Sequence, residues 1–420
     1  MKVAPGVIAT PARIALWSAA AALAGLLFGF DVAVISGAEQ TIQHHWNLSP
    51  QQHGLILSAA LWGTVIGALG GAWPTDRIGR KGALIGVAVG YVAASLGSAL
   101  AQDPWTFAAF RFIGGLAIGV SSIAAPAYIS EIAPPARRGQ LVGLYQFNIV
   151  AGILLAYLSN WIIGGQGWPH AWRLMLGVQA VPSLLFLFAA CAIPDSPMWE
   201  RARSEGAPQH ARWADYLKPP LRKPASLAFT IALFNQLSGI NAVIYFAPRI
   251  FEIAGMAQSA ALLASVGIGL VNLLATGMAV LLIDRIGRRA LMLAGGVGYC
   301  ISLGAVALAF ATGSGALVVP FVFLFIVAHA IGQGAVIWVF IAEVFPTSAR
   351  ARGQTLGSGT HWILAALVTL VLPFALASFA PEMIFGFFFV MMALQLVWVL
   401  RVMPETGGLA LDDPSRPSGL

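Results

Sequence analysis

The sequence predicts an all-α membrane protein of about twelve transmembrane helices in two pseudo-symmetric six-helix halves. Three observations predict it. Of the 420 residues, 59% are apolar and only 9% are charged, and the mean hydropathy is +0.82, far from what a soluble domain needs to wet its surface. A span takes about 20 mostly apolar residues, so about twelve spans use roughly 240 to 300 positions and leave only short connections. A charged signature, Asp76-Arg77-Ile78-Gly79-Arg80-Lys81 after the second apolar run, returns as Asp284-Arg285-Ile286-Gly287-Arg288-Arg289 after the eighth.

The apolar runs of the first half are Ala12–Ser36, Gln51–Trp73, Ala83–Ala101, Trp105–Ile129, Leu141–Ile163 and Ala171–Ile193. Those of the second are Ala225–Ile253, Ser259–Ile283, Ala290–Thr312, Leu317–Phe345, Thr355–Phe379 and Met383–Val402. The predicted halves are therefore 1–193 and 225–403, joined by a short linker, 194–224, and followed by a tail, 404–420. Residues 201–223 have room for a short amphipathic helix or two, and 411–420 has the Pro, Ser and Asp content of a disordered end. The first run exceeds a signal-peptide core of roughly 7 to 15 residues and lacks a small-residue cleavage pattern, so it is expected to stay attached.

Charge sets the expected orientation. With both termini cytoplasmic, all of the 23 Lys and Arg residues except Arg111, Arg173 and Arg249 fall in inside segments. That bias also accounts for the net charge of +7 through the membrane surface, with no nucleic-acid partner. Cys191 and Cys300 lie within apolar runs, as small buried hydrophobes do, and carry no redox information. His44, His45 and His53 lack metal-ligand spacing with acidic support and are expected as solvated residues of the first external loop.

Two further pairs repeat in the same order. Glu131 before Arg137-Arg138-Gly139-Gln140 matches Glu343 before Arg350, Arg352, Gly353 and Gln354, and Pro194-Asp195-Ser196-Pro197 matches Pro404-Glu405-Thr406-Gly407. Stop-transfer charges alone explain the Arg and Lys residues but not the ordered acidic partners. Two homologous six-helix halves explain both. The carboxylates Asp76, Glu131, Asp284 and Glu343 sit near helix ends beside guanidinium groups, where partly screened ion pairs suit a latch that holds one side closed.

These signatures resemble the sugar porter family of the major facilitator superfamily. The resemblance runs from Gly29-Phe30-Asp31 to Pro404-Glu405-Thr406 and includes Arg111-Phe112-Ile113-Gly114-Gly115, Gln236-Leu237-Ser238-Gly239-Ile240-Asn241 and Gly334-Ala335-Val336-Ile337-Trp338. The Asp-Arg-x-Gly-Arg loop marks only the superfamily; joined to the other signatures it marks sugar porters. The resemblance implies the major facilitator fold and alternating access, with a cytoplasmic gate of Asp76, Arg77, Arg80, Glu131, Arg138, Asp195, Asp284, Arg285, Arg288, Glu343, Arg352 and Glu405. Within it, Arg138 and Arg352 are expected to pair with acids of their own half, and Asp195 and Glu405 to complete the clusters. Ala72 and Val280 replace a family glycine before the two loops, although Gly63, Gly67 and Gly71 keep a small-residue face for packing.

Amides deep in apolar sequence need partners, because an unpaired buried amide costs about 1 to 3 kcal/mol. Gln146, Gln236, Asn241 and Asn272 are such amides. They either bridge helices or meet a ligand rich in hydroxyls, with Trp338 and Trp362 as flat stacking faces. The resemblance places Gln146, Gln236, Asn241, Asn272, Trp338 and Trp362 at sugar-contacting positions, with Asn235 where relatives often have Gln and His361 where they have Asn or Gln. Phe28 and Tyr245 are candidates for closing the site, although a lone aromatic in a span is more often packing. Ala335 replaces a common Pro, so a break in the tenth helix is expected at Gly332 and Gly334, and one in the seventh at Gly239 and Pro248.

Asp31 lies in the first span, where ionisable residues are functional by default. Arg111 in the fourth is its candidate partner. Burial favours the neutral form of the carboxyl and Arg111 the charged one, so separating them moves a proton. In the family, proton-coupled members carry a carboxylate here and facilitators a neutral residue. A permanent structural salt bridge is the competing reading.

The implied activity is proton-coupled uptake of a monosaccharide, hexose or pentose, with a passive facilitator or a polyol or inositol transporter as alternatives. No nucleophile–base or metal constellation points to an enzyme, no added domain to a sensor, and the sugar-type signatures argue against an efflux antiporter. The expected partners are sugar, proton and lipid bilayer, with no cofactor and no nucleic acid. A monomer in a bacterial plasma membrane is the expectation from the family and the compact loops.

Overall fold

The computed structural model describes residues 10–134, 137–196, 198–199, 213–346 and 349–407. Among them, twelve helices are long and apolar enough to cross a membrane. In order these spans are Pro11–His45, Pro50–Gly70, Gly79–Leu100, Pro104–Ile132, Arg138–Gly164, Ala171–Ala192, Arg222–Ile253, Gln258–Ile286, Arg288–Ala311, Gly315–Val344, Arg352–Ser378 and Pro381–Arg401. The amphipathic helix expected within 201–223 falls mostly outside the described residues, as does the tail beyond Gly407.

Helix starts follow local chemistry. Ser49 caps the second span in a capping box, donating its own N–H to Gln52 Oε1 at 3.0 Å while its Oγ accepts from Gln52 N at 3.2 Å. Asp103 caps the fourth, accepting from the N–H groups of Trp105 and Thr106. Proline stands in the first turn of both, where its missing N–H costs nothing. The first span differs from expectation: it runs two and a half turns past Ser36 to His45, and Glu39 within that extension is buried rather than solvated.

The chain divides into two compact units, Met1–Pro208 and Gln209–Leu420. In the first, glycine brings helices into backbone contact. A Cβ on Gly29 would strike the Ile149 carbonyl, and one on Gly152 the Leu26 carbonyl, so the first and fifth spans touch main chain to main chain. Gly63, Gly67 and Gly71 lie against Phe112, Leu116 and Val120 of the fourth span, the packing role expected of that small-residue face. Two short helices, Ala171–Gly177 and Ala180–Ala192, make up the sixth span.

In the second unit the seventh span breaks at Gly239, whose φ of 85° lies in the left-handed region that favours glycine. It bends again at Phe246, φ −124°, two residues before Pro248. The tenth span contains a π-helical turn, Ala330–Gly334, which places the expected irregularity at the two glycines. There Gly332 meets Gly295 of the ninth span, with too little space for a side chain on either. Cys191 corrects an expectation: it is exposed, Cys300 is intermediate, and both are free thiols. It shares the outer face of the sixth span with Val181, Leu184, Leu185 and Phe188, apolar surface that suits lipid.

Candidate functional site

Asp31 and Arg111 meet in the core of the first unit. They are 1% and 3% exposed. Arg111 Nη1 donates to Asp31 Oδ1 at 2.7 Å, and Nη2 donates to the Asp31 backbone carbonyl at 3.0 Å. Asp31 Oδ2 is buried with no hydrogen-bond partner. The buried Tyr91 side chain lies within electrostatic reach of Asp31. Removing either charge of such a pair leaves the other desolvated, at a cost of about 3 to 5 kcal/mol.

In the second unit, Gln236 is the hub of a polar cluster. Its Nε2 donates to Asn235 Oδ1 at 3.0 Å and lies 3.1 and 3.2 Å from the ring nitrogens of His361. Its Oε1 accepts from Asn241 Nδ2 at 2.7 Å across the break at Gly239. Two indoles bracket the imidazole: His361 lies 4.9 Å from the Trp338 ring and 4.7 Å, edge-on, from Trp362. Amides, an imidazole and indole faces thus converge on one spot, the chemistry that suits a polyhydroxylated ring.

Tyr245, Asn272, Gln146 and Phe28 are the remaining expected residues. Tyr245 is buried. Asn272 accepts from Thr276 of its own helix at 3.3 Å. Gln146 and Phe28 belong to the first unit and are half-buried.

Comparison with known proteins decides the family. The model of the family described as "Sugar (and other) transporter" matches residues 17–212 and 200–416. The chain belongs to that family. The transporter is 33% identical to the arabinose-proton symporter of Bacillus subtilis, covering 95% of this chain and 94% of the relative. It is 33% identical to the D-xylose transporter of Levilactobacillus brevis, covering 93% of each. Its fold matches a partially occluded inward-open structure of the xylose transporter XylE from E. coli with a TM-score of 0.84 and 27% identity, over 95% of this chain and all of that one. The transporter is an all-α, multi-pass membrane protein of the major facilitator fold, and not an enzyme.

The repeated signatures of the transporter form two matched charge clusters, one in each unit. Arg80 bonds Glu131 at 2.9 Å and Asp76 at 2.8 Å, and Arg288 bonds Glu343 at 2.8 Å and Asp284 at 2.9 Å. Ser196 donates to Glu131, as Thr406 does to Glu343 at 2.7 Å. Asp76 and Asp284 are 70% and 79% exposed, so their pairs are screened, and the Arg80–Glu131 and Arg288–Glu343 pairs are the firmer contacts.

Several expected partners are corrected. Arg80, not Arg138, holds Glu131, because the tight turn at Gly79 (φ 87°) aims Arg80 back across the cluster while Arg138 is exposed. Asp195 is exposed too, and its neighbour Ser196 supplies the contact. Arg77 lies over the Trp73 ring at 5.1 Å and Arg285 is exposed, so neither joins an ion pair among the described residues. Burial raises the Tyr216 hydroxyl above the ordinary tyrosine range although the Arg352 charge acts against it.

Glu405 does join its cluster, as a backbone cap. Its carboxylate accepts from the N–H groups of Arg288, Arg289, Thr406 and Gly407. Burial pushes its carboxyl up, but these four bonds outweigh burial and hold it below the usual glutamate range. A lowered carboxyl stabilises the fold fully above its unfolded value, and that contribution is lost as pH falls through the lowered folded value. Glu405→Gln should therefore reduce the Tm of the purified protein most at neutral pH, with the gap from wild type closing in acid.

Sequence reasoning missed Gln333, His329 and Tyr299. Gln333, in the π turn, is fully buried with neither amide atom bonded. The Tyr299 hydroxyl lies 2.6 Å from His329 Nδ1, and His329 is within electrostatic reach of His361. His329 and Gln333 are the polar side chains of the run Val318–Val344 before Glu343, which was the available signal.

Proposed function

We propose that the protein is a proton-coupled monosaccharide symporter that takes up a pentose or hexose by alternating exposure of its site to the two sides of the membrane. The observation that carries this reading is the buried Asp31–Arg111 pair, in a chain whose relatives are named as proton symporters of arabinose and galactose. Protonating Asp31 cancels its charge and frees Arg111 Nη1. Deprotonating it restores a bond that is strong because water is excluded. A pair of this kind ties the carboxyl's proton occupancy to the helix positions that make or break the contact.

In this reading the cluster around Gln236 binds the sugar hydroxyls, Trp338 and Trp362 present apolar faces to the ring, and Gln146, Asn272, Phe28 and Tyr245 contribute further contacts. The clusters of Arg80 with Glu131 and Arg288 with Glu343 act as latches within each half. The halves are 1–193 and 225–403, with 194–224 as linker and 404–420 as tail. The distribution of Lys and Arg supports both termini on the cytoplasmic side of a cell membrane, and a monomer suffices for a site of this kind.

The test is uptake of labelled xylose, arabinose, glucose and galactose into proteoliposomes, with and without an inward proton gradient. Accumulation above equilibrium that collapses with a protonophore is the expected result. Gradient-insensitive equilibration would make the protein a facilitator and leave Asp31 a structural role.

A further inference from the structure

A second buried acid–base pair lies in the first unit, outside the groups assigned so far. Glu39, on the first span, and His53, on the second, are both fully buried, and Glu39 Oε2 is 3.4 Å from His53 Nε2. His53 is therefore not the solvated loop residue its sequence position suggests. The pair without a proton carries a net negative charge in a site that excludes water, and with one proton it is neutral overall. It thus holds one exchangeable proton that either oxygen or nitrogen can carry.

Its position connects it to Asp31. Glu39 lies eight residues beyond Asp31 on the same helix, about 12 Å along the axis. Asn160 of the fifth span fills the interval: it packs against Gly37, 2.6 Å from where a Cβ would stand, and its Nδ2 donates to the Val34 carbonyl at 2.9 Å. Asn160 is 1% exposed and its Oδ1 has no hydrogen-bond partner. Asp31 Oδ2, at the far end of the interval, has none either. One unsatisfied buried acceptor at Asp31 and another beside the interval that leads to the pair mark a track along which a proton, carried by water, finds acceptors.

The other titratable groups around this end are otherwise engaged or outside. Asp103 accepts from Trp105 and Thr106. Arg173 donates to the carbonyls of Ala99 and Ala101 and lies over Trp172. His44, His45 and His170 are exposed, Tyr157 is buried on the fifth span, and Arg111 holds Asp31.

We propose that Glu39 and His53 form a proton-loading station for Asp31, at the end of the first span remote from the Asp76 cluster. One proton leaves Glu39 or His53, bonds to Asp31 Oδ2 as Arg111 lets go, and is replaced at the station from bulk water. This inference rests on the symport reading.

The test compares Glu39→Gln, His53→Gln and Asp31→Asn in full-length protein in proteoliposomes, with labelled D-xylose as probe. Equilibrium exchange, which needs no net proton movement, reports folding and sugar binding; gradient-driven uptake across external pH reports loading. Both station variants should keep exchange and lose gradient-driven uptake by about tenfold, with its pH profile displaced by about one unit. Glu39→Asp, which keeps a carboxylate, should recover part of the loss and covers the case in which Glu39→Gln fails to fold. Asp31→Asn uncoupled with Glu39→Gln and His53→Gln unchanged would overturn the station alone. Wild type without gradient-driven uptake would overturn both the station and the symport reading.

Discussion

Asp31→Asn is expected to abolish sugar accumulation while leaving equilibration in place. Asparagine keeps an oxygen able to accept the Arg111 Nη1 bond that now spans 2.7 Å, but it takes up no proton at transport pH. One proton per sugar across about two pH units sustains about a 100-fold accumulation, since each unit is worth about 1.4 kcal/mol. The variant should bring that ratio to about one. The measurement is the steady-state ratio of internal to external labelled sugar in energised proteoliposomes, beside exchange in the absence of a gradient. Retained accumulation would return the Asp31–Arg111 pair to the role of a fixed brace. Arg111→Leu should be far more damaging, because the Asp31 carboxylate would then be buried without a counter-charge, at a cost of about 3 to 5 kcal/mol. The contrast between the two variants separates coupling from stability.

The fold was legible for a simple reason: a lipid core accepts few structures, so twelve long apolar runs read directly as spans. The doubled signatures were legible too, because Asp76 and Asp284 begin the same motif. Partner choice was not. Each signature offers several guanidinium groups, and only the backbone turn at Gly79 or Gly287 decides that Arg80 and Arg288 reach the acids while Arg77 and Arg285 face outward. Ser196 was passed over in favour of Asp195 because charge is more conspicuous than a hydroxyl in a sequence.

Burial of polar residues was the other blind point. His53 reads by type as a solvated loop residue, yet Glu39 and His53 are each what permits the other to be inside. Gln333 is hidden for a related reason. The glycines beside it signalled the irregularity at Ala330–Gly334, but the burial of its amide depends on how that one turn is wound, which hydrophobic period does not report. The hub at Gln236 was legible because its amides lie in an apolar run, where an unpaired polar group is too costly to be incidental.

Gln236→Ala is expected to produce the largest loss of sugar affinity. The amide makes bonds to Asn235, Asn241 and His361 at once, and it is fully buried. Truncation leaves the Asn241 donor, the Asn235 acceptor and a ring nitrogen of His361 without that partner, at about 1 to 3 kcal/mol for each group left unsatisfied. Sugar hydroxyls that these groups orient would then meet a cavity and misaligned amides, and an affinity loss on the order of 100-fold corresponds to about 2.7 kcal/mol. Trp338 and Trp362, within 5 Å of the His361 ring, make intrinsic fluorescence a direct readout of sugar titration in detergent. Gln236→Asn, which keeps the amide but withdraws it by one methylene, should fall between wild type and alanine. Gradient coupling should survive in both at saturating sugar, because the proton is assigned to Asp31, which keeps its Arg111 partner on the fourth span when Gln236 is changed. Wild-type affinity in Gln236→Ala would show that the cluster braces the broken seventh span and that sugar binds elsewhere.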